Sequence, residues 1–254
     1  MYINDTNILW YILFGIIGIV VGEFTLWCNY AMVKEKRIFS KEILKTFKIE
    51  KEYRYTILIT IFLIYIGMVY KFGIKESFLK NLDLIKFLIL IPMLVSAFFI
   101  DLKYRIIPNR LNMTIFEVGI ALTFIFGINN VNIAKDMLLG MLVGGGIFLA
   151  ITLLGGLIAG KEAMGLGDVK LMGALGLFFG VSSILEITLL AFFVGAIISI
   201  FIILIRKFVL KVDDEYMAFG PFLTLSAVVC MFLPANTVFF WFMTLCSGIT
   251  NLIM

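Results

Sequence analysis

The chain of 254 residues contains no histidine. That absence removes the Ser-His-Asp and Cys-His nucleophiles, the HExxH-type zinc site and any histidine proton relay. Cysteine is scarce: Cys28, Cys230 and Cys246 are isolated in the sequence and form no CxxC pair. Neither a four-cysteine zinc site nor a disulfide framework is supported, and no metal site is expected. Charge is also thin, at 15% of residues, where a soluble domain carries about 25%. Only four prolines and little Ser/Thr-rich sequence occur, which argues against a long disordered tail. The net charge of +4 is small and dispersed, so nucleic acid is not an expected partner. Carboxylates, Lys, Tyr, Ser/Thr and lone thiols are what remain for catalysis.

What the chain has in excess is apolar residues, 62% of the total, with mean hydropathy +1.10. The expected fold class is all-α: one polytopic membrane domain over 1–254, embedded in a lipid bilayer, with about eight transmembrane helices. Apolar runs place them at 8–27, 56–72, 84–100, 112–128, 136–159, 169–182, 184–205 and 219–233. The sixth is short and joins the seventh at Val181-Ser182-Ser183. The apolar tail 237–254 extends the last helix, lies in the interface or forms a ninth span. The first run lacks a basic n-region and a small-x-small cleavage site, so it reads as a retained span rather than a signal peptide. Of the 21 Lys and Arg, 16 fall in the connectors 28–55, 101–111, 160–170 and 206–218, all on one face. The positive-inside rule makes that face cytoplasmic and puts the N-terminus outside.

The stretch 34–54 alternates Lys, Arg and Glu with Ile38, Phe39, Ile43, Leu44 and Phe47. It reads as an amphipathic cytoplasmic helix on the anionic leaflet or as a segment that binds a substrate or partner. A charge at a membrane segment is costly and needs a reason. Glu23, Glu117 and Glu186 sit in or beside spans. Asp101 follows an apolar run directly, and Asp168 stands where the loop GKEAMGLG meets a helix. Two spans separate these aspartates, so both are expected on the cytoplasmic face at the water–membrane boundary. Two carboxylates a few ångströms apart cannot both ionise cheaply. The ionised one can take a proton from water and the protonated one can donate to a carbonyl, with no metal or histidine. Pro108 and Asn109 close the excursion after Asp101 with a turn. Gly165 and Gly167 offer backbone freedom beside Asp168, which can also favour the start of a helix. A capping Asp and a snorkelling surface Asp explain the same residues without catalysis.

Three blocks carry a resemblance. Asp101-Leu102-Lys103-Tyr104-Arg105-Ile106-Ile107-Pro108-Asn109, Gly165-Leu166-Gly167-Asp168-Val169-Lys170 and Ala218-Phe219-Gly220-Pro221-Phe222-Leu223 resemble, in order and spacing, the blocks of the type IV prepilin peptidases, membrane aspartyl proteases of the GxGD class. The resemblance covers about residues 85–234. It implies an aspartic endopeptidase of the cell membrane that cuts the short basic leader of type IV prepilins or pseudopilins, typically after Gly, at the cytoplasmic face. Asp101 and Asp168 would be the catalytic dyad. Gly165, Gly167 and Lys170 would shape or steady the second loop, and Phe219, Gly220 and Pro221 would border the cleft. Proteolysis would need no cofactor. Bifunctional relatives also N-methylate the new terminus with S-adenosylmethionine and carry two CxxC pairs after the first helix. Here that region holds only Cys28, with Gly22-Glu23-Phe24-Thr25-Leu26 and Arg54-Tyr55-Thr56 in place of the usual motifs. S-adenosylmethionine is therefore implied only if methylation is retained.

Glu162, Asp213, Asp214 and Glu215 lie near these blocks and either attract a basic leader or are solvated loop charges. Glycines at 140, 144, 145, 146, 155, 156 and 160, and at 173, 176 and 180, read as close helix packing, a dimer face or a hinge. Two other functions compete. An intramembrane protease of the presenilin or signal-peptide-peptidase kind would use Y-D for its first Asp, and here Ile100 precedes it. An ion- or proton-coupled transporter using Asp101 and Asp168 would more often show repeats or broken midplane helices.

Overall fold

Long apolar runs that must satisfy every backbone group internally form helices, and the chain is almost wholly helical. The computed structural model describes residues 2–3, 6–36, 51–159, 164–205 and 218–253. A two-stranded hairpin, β1 (Tyr2–Ile3) and β2 (Thr6–Asn7), precedes α1 (Ile8–Val33). Then follow α2 (Lys51–Phe72), a 3-10 turn at Phe78–Asn81, α3 (Leu82–Tyr104), α4 (Asn109–Asn129), α5 (Val131–Ala159), α6 (Leu166–Ile205), α7 (Gly220–Phe232) and α8 (Thr237–Ile253). Among the described residues, six helices are long and apolar enough to cross a membrane, or seven if the bent pair α7–α8 is one span. The polytopic all-α expectation holds. The expected 34–54 segment falls largely on 37–50, outside the described residues, as do Glu162, Asp213, Asp214 and Glu215.

Packing divides the chain into two compact units, residues 1–115 and 116–254. In the first, the Asn7 side chain accepts from Leu9 N–H at 3.1 Å and starts α1. One stripe of α1, including Gly15, Gly18, Gly22, Thr25 and Cys28, is buried. Its glycines lie against Phe62, Tyr65 and Leu58 of the antiparallel α2. Helix α2 then packs on α3: Tyr65 Oη donates to the Leu88 carbonyl at 2.8 Å, and Tyr53 meets Phe99 edge-on at 5.8 Å.

The second unit is built on backbone contact. Glycines let two helices approach until their main chains touch. Gly140 of α5 lies against the Gly176 carbonyl, Gly144 against that of Met172, and Gly145 against Gly173. These pairs run antiparallel. Beyond Gly180 the direction reverses: Gly144 also meets Ile184, and Phe148 stacks on Phe192 at 5.7 Å. Helix α6 is thus two antiparallel arms, 166–179 and 181–205, folded at Gly180, whose φ of 73° and ψ of −178° are non-helical. Its arms correspond to the expected sixth and seventh segments. The turn, however, falls at Gly180 rather than Val181–Ser183, because the backbone conformation there is one that only glycine adopts readily. After α7 the chain breaks at Leu233, and α8 leaves at 104°. The tail does not continue α7.

Candidate active site

Asp101 occupies the last turn of α3 in the first unit and is buried, 4% exposed. The turn after it is tight. Arg105 takes a left-handed conformation, φ 56°, and its N–H donates to the Asp101 carbonyl at 2.8 Å. A left-handed residue is a common way to end a helix and satisfy its last carbonyls. Three residues on, the Pro108 carbonyl accepts from Leu111 N–H and Asn112 N–H at 3.0 and 3.2 Å and starts α4 at Asn109. The expected turn at Pro108-Asn109 is therefore present. The Arg110 guanidinium donates back to the carbonyls of Lys36 and Glu35 at 2.8 and 3.4 Å, tying the end of α1 to the start of α4.

A second charged feature lies in the same layer of this unit. Arg54 donates through Nε to Glu23 Oε1 at 3.0 Å, and its Nη2 reaches the same oxygen. Both side chains are about one-third exposed, 37% and 36%. Tyr53, next to Arg54, packs on Phe99, two residues before Asp101, and Lys103 Nζ lies 5.6 Å from the Tyr53 ring centre. The pair gives Glu23 the partner that a carboxylate in a membrane helix requires.

Asp168 sits in the first turn of α6 in the second unit, also buried, 8% exposed. Its N–H donates to the Gly165 carbonyl at 3.0 Å. A carboxylate in this position is favoured by the helix dipole. Gly165 is exposed, with room for a Cβ 3.9 Å from Asp168 Oδ2, and Lys170 is exposed on the helix. Neither Gly165 nor Gly167 takes a positive φ; among the described glycines only Gly73 and Gly180 do. The backbone freedom expected of Gly165 and Gly167 is not used in this conformation.

The third block starts α7. The Phe219 carbonyl accepts from Phe222 N–H and Leu223 N–H at 3.0 and 3.3 Å, with Gly220 and Pro221 buried in the first turn. Phe219 packs against Phe192 at 5.3 Å and Phe148 at 6.4 Å. The antiparallel register of Gly140 with Gly176, and Gly144 with Met172, carries Asp168 opposite Phe148. The second and third blocks thus share one level of the second unit, while Asp101, Pro108 and Asn109 belong to the first.

Sequence reasoning missed Asp136, whose Oδ1 accepts from Val181 N–H at 3.3 Å across 45 positions. It also missed the role of Arg110. Neither has a local pattern that could reveal it. Among the described residues no three His, Cys, Asp or Glu side chains gather as a metal site.

Comparison with known proteins bears on the region that joins the two aspartates. Residues 88–200 match the type IV leader peptidase family. The matched segment is less than half of the chain. It contains Asp101 and Asp168, and the Phe219 block lies beyond it. The chain is similar to the prepilin leader peptidase/N-methyltransferase of Aeromonas hydrophila, 29% identical over 157 residues, which is 62% of this chain and 52% of that protein. A protein of the same name from Legionella pneumophila is 32% identical over 155 residues, 60% of this chain and 51% of its own. Another from Myxococcus xanthus is 33% identical over 133 residues, 52% and 39%. The chain spans about half the length of the curated relatives it matches. No solved structure matches.

Proposed function

We propose that the chain is a membrane aspartic endopeptidase that removes the short basic leader of a type IV prepilin or pseudopilin. The observation that carries this reading is the leader-peptidase segment itself, which includes two buried aspartates, each at a helix end beside a tight turn. In this reading both units act as one peptidase domain in the cell membrane. The N-terminus is outside, and the carboxylates are reached from the cytoplasmic side. The ionised member of the Asp101/Asp168 pair takes a proton from water as its oxygen attacks the scissile carbonyl. The protonated member donates to the carbonyl oxygen. Collapse of the tetrahedral adduct breaks the C–N bond, and the leaving amine takes the proton. Gly165, Gly167 and Lys170 steady the Asp168 turn, Pro108 and Asn109 hold the Asp101 turn, and Phe219-Gly220-Pro221 borders the cleft. Glu162, Asp213, Asp214 and Glu215 attract the basic leader.

Co-expression with a prepilin-like substrate tests this, with intact mass and N-terminal sequence as the readout. Wild-type cleavage after the leader Gly is expected. Asp101→Asn and Asp168→Asn should each lower the rate about 10³-fold or more, since a positioned acid–base group contributes on that order. Cleavage retained by either variant in folded protein would remove that residue from the mechanism. The relatives' names also include N-methyltransferase; a product heavier by about 14 Da, one methyl group, would show that S-adenosylmethionine is used as well.

A further inference from the structure

The last helix of the second unit is apolar but does not follow the direction of the others. Helix α7 runs alongside the arm 181–205: Phe219 meets Phe192 just before its first turn, and Asn236 Oδ1, just past its end, accepts from Ser182 Oγ at 2.7 Å. That arm belongs to a helix long and apolar enough to cross a membrane. Helix α7 shares its direction, and α8 departs from α7 at 104°, about 14° from a right angle. The corner is built into the sequence. The Pro234 carbonyl accepts from Thr237 N–H at 3.3 Å, and Asn236 takes a left-handed φ of 65°. A helix nearly perpendicular to crossing helices runs along a membrane, not through it.

An in-plane helix seated at the water surface carries a strongly charged or polar face. Residues 218–254 include no charge. Within 237–247 the hydroxyls belong to Thr237, Thr244 and Ser247, and each donates to a backbone carbonyl nearby: Pro234 at 2.7 Å, Phe240 at 2.9 Å and Thr244 at 2.9 Å. Polar groups bonded within the chain are what hydrocarbon requires. Depth points the same way. Trp241 meets Phe193 edge-on at 5.8 Å, and Phe193 stands about 16 Å past Ser182 along the arm at 1.5 Å per residue. Helix α8 is therefore on the apolar side of the layer that holds Ser182 and Asn236. Val238 is buried, while Phe239, Phe240, Trp241, Phe242 and Met243 are all exposed. Five consecutive residues sweep more than a full turn. A second copy of the chain would cover one stripe of such a helix; only a solvent covers every side, and these side chains suit an apolar one.

We propose that α8 is an in-plane helix lying within the acyl-chain layer of the leaflet at the Gly180 end of the second unit, surrounded by lipid and seated on the bundle through Val238 and Trp241. The leaflet is the one remote from Asp168, which begins the arm that Gly180 ends. Helix α8 thereby pins the far end of α7, whose other end carries the Phe219 turn. The inference does not depend on the peptidase reading.

The test moves one tryptophan along an exposed face of α8 in the full chain. Trp10→Phe, Trp27→Phe and Trp241→Phe remove the three native tryptophans. Phe239→Trp, Met243→Trp or Cys246→Trp then places a single reporter at i, i+4 or i+7, on one face over about two turns. Fluorescence quenching in vesicles of phosphatidylcholine brominated at graded positions along the acyl chain reads the depth of each. All three should be quenched by acyl bromines, at depths that agree within about 3 Å, the rise of two turns tilted by about 14°. A crossing helix climbs about 5.4 Å per turn, so depths differing by about 4 Å or more among the three would overturn the proposal. Quenching by aqueous iodide in place of acyl bromines would put α8 in water and overturn it as well. Bromine quenching that develops only on dilution into excess lipid would place a second copy of the chain on α8, with the same consequence. Phe242→Trp stands in for any scan position that fails to give monodisperse protein.

Discussion

Both units bury glycines between helices, but the glycines face different things. In the first, Gly15 and Gly22 of α1 lie against the ends of Phe62 and Leu58 side chains. In the second, Gly140 and Gly176 lie against each other's main chain. A side chain can change rotamer to admit a methyl group, whereas a helix backbone cannot move without dragging its whole length. The same small-residue pattern therefore marks an adjustable contact at Gly15 and Gly22 of α1 and a rigid one at Gly140 and Gly176, in the helix pair that carries Asp168. Among the elements around each aspartate, Asp101 is set by a turn, through Arg105 and Pro108, and Asp168 by the fixed register of the helix it begins.

Gly176→Ala should break this contrast most severely. Its Cβ would overlap the Gly140 carbonyl and Met141 amide, and relief requires separating α5 from the 166–179 arm. A destabilisation of about 3 kcal/mol or more is expected, at the upper end for overpacking. Fluorescence-detected size-exclusion after heating would show it as loss of the monodisperse peak. A variant as heat-resistant as wild type would mean the two helices are not held backbone to backbone.

Next in size is the fold between the arms. Gly180→Ala would place a methyl group on the Asp136 carboxylate and force an L-residue into φ 73° with extended ψ, a region costing about 1–3 kcal/mol. Asp136→Ala removes only the acceptor for Val181 N–H. Loss of a helix-starting acceptor typically costs about 1 kcal/mol. Asp136→Asn keeps an acceptor oxygen and should recover most of the difference. The order Gly180→Ala, Asp136→Ala, Asp136→Asn in thermal midpoint checks the assignment, and an Asn variant no better than Ala would refute the hydrogen-bond account.

Hydropathy made the helices legible because a membrane helix needs a long uninterrupted apolar run. The Asp101 and Asp168 blocks were legible because polar residues at such run ends stand out, and the leader-peptidase match falls on both. The turn at Gly180 was misplaced by one to three residues because Ser182 and Ser183 look more like a connector than a glycine within an apolar run. Asp136, 45 residues from Val181, and Arg110, 74 from Lys36, act across distances that no local pattern encodes.

The smallest effect belongs to the first unit and sharpens the contrast. Gly22→Ala brings a Cβ within 2.7 Å of Leu58 Cδ2, with the Leu58 Cα still 3.5 Å away. Only the tip of a flexible side chain is in the way, and turning it costs about 0.5–1.5 kcal/mol if it must leave its rotamer. Against this, Ala is better than Gly in a helix by about 0.8–1.0 kcal/mol. The two nearly cancel, so the thermal midpoint should move by no more than a few degrees in either direction. Glu23, the next residue, should keep its bond to Arg54, because the backbone of α1 need not shift. Salt dependence of the thermal midpoint in Gly22→Ala matched to wild type would show that pair intact. A collapse comparable to that of Gly176→Ala would instead mean that α1 and α2 are as rigidly seated as α5 and α6, and the distinction between the two interfaces would fall.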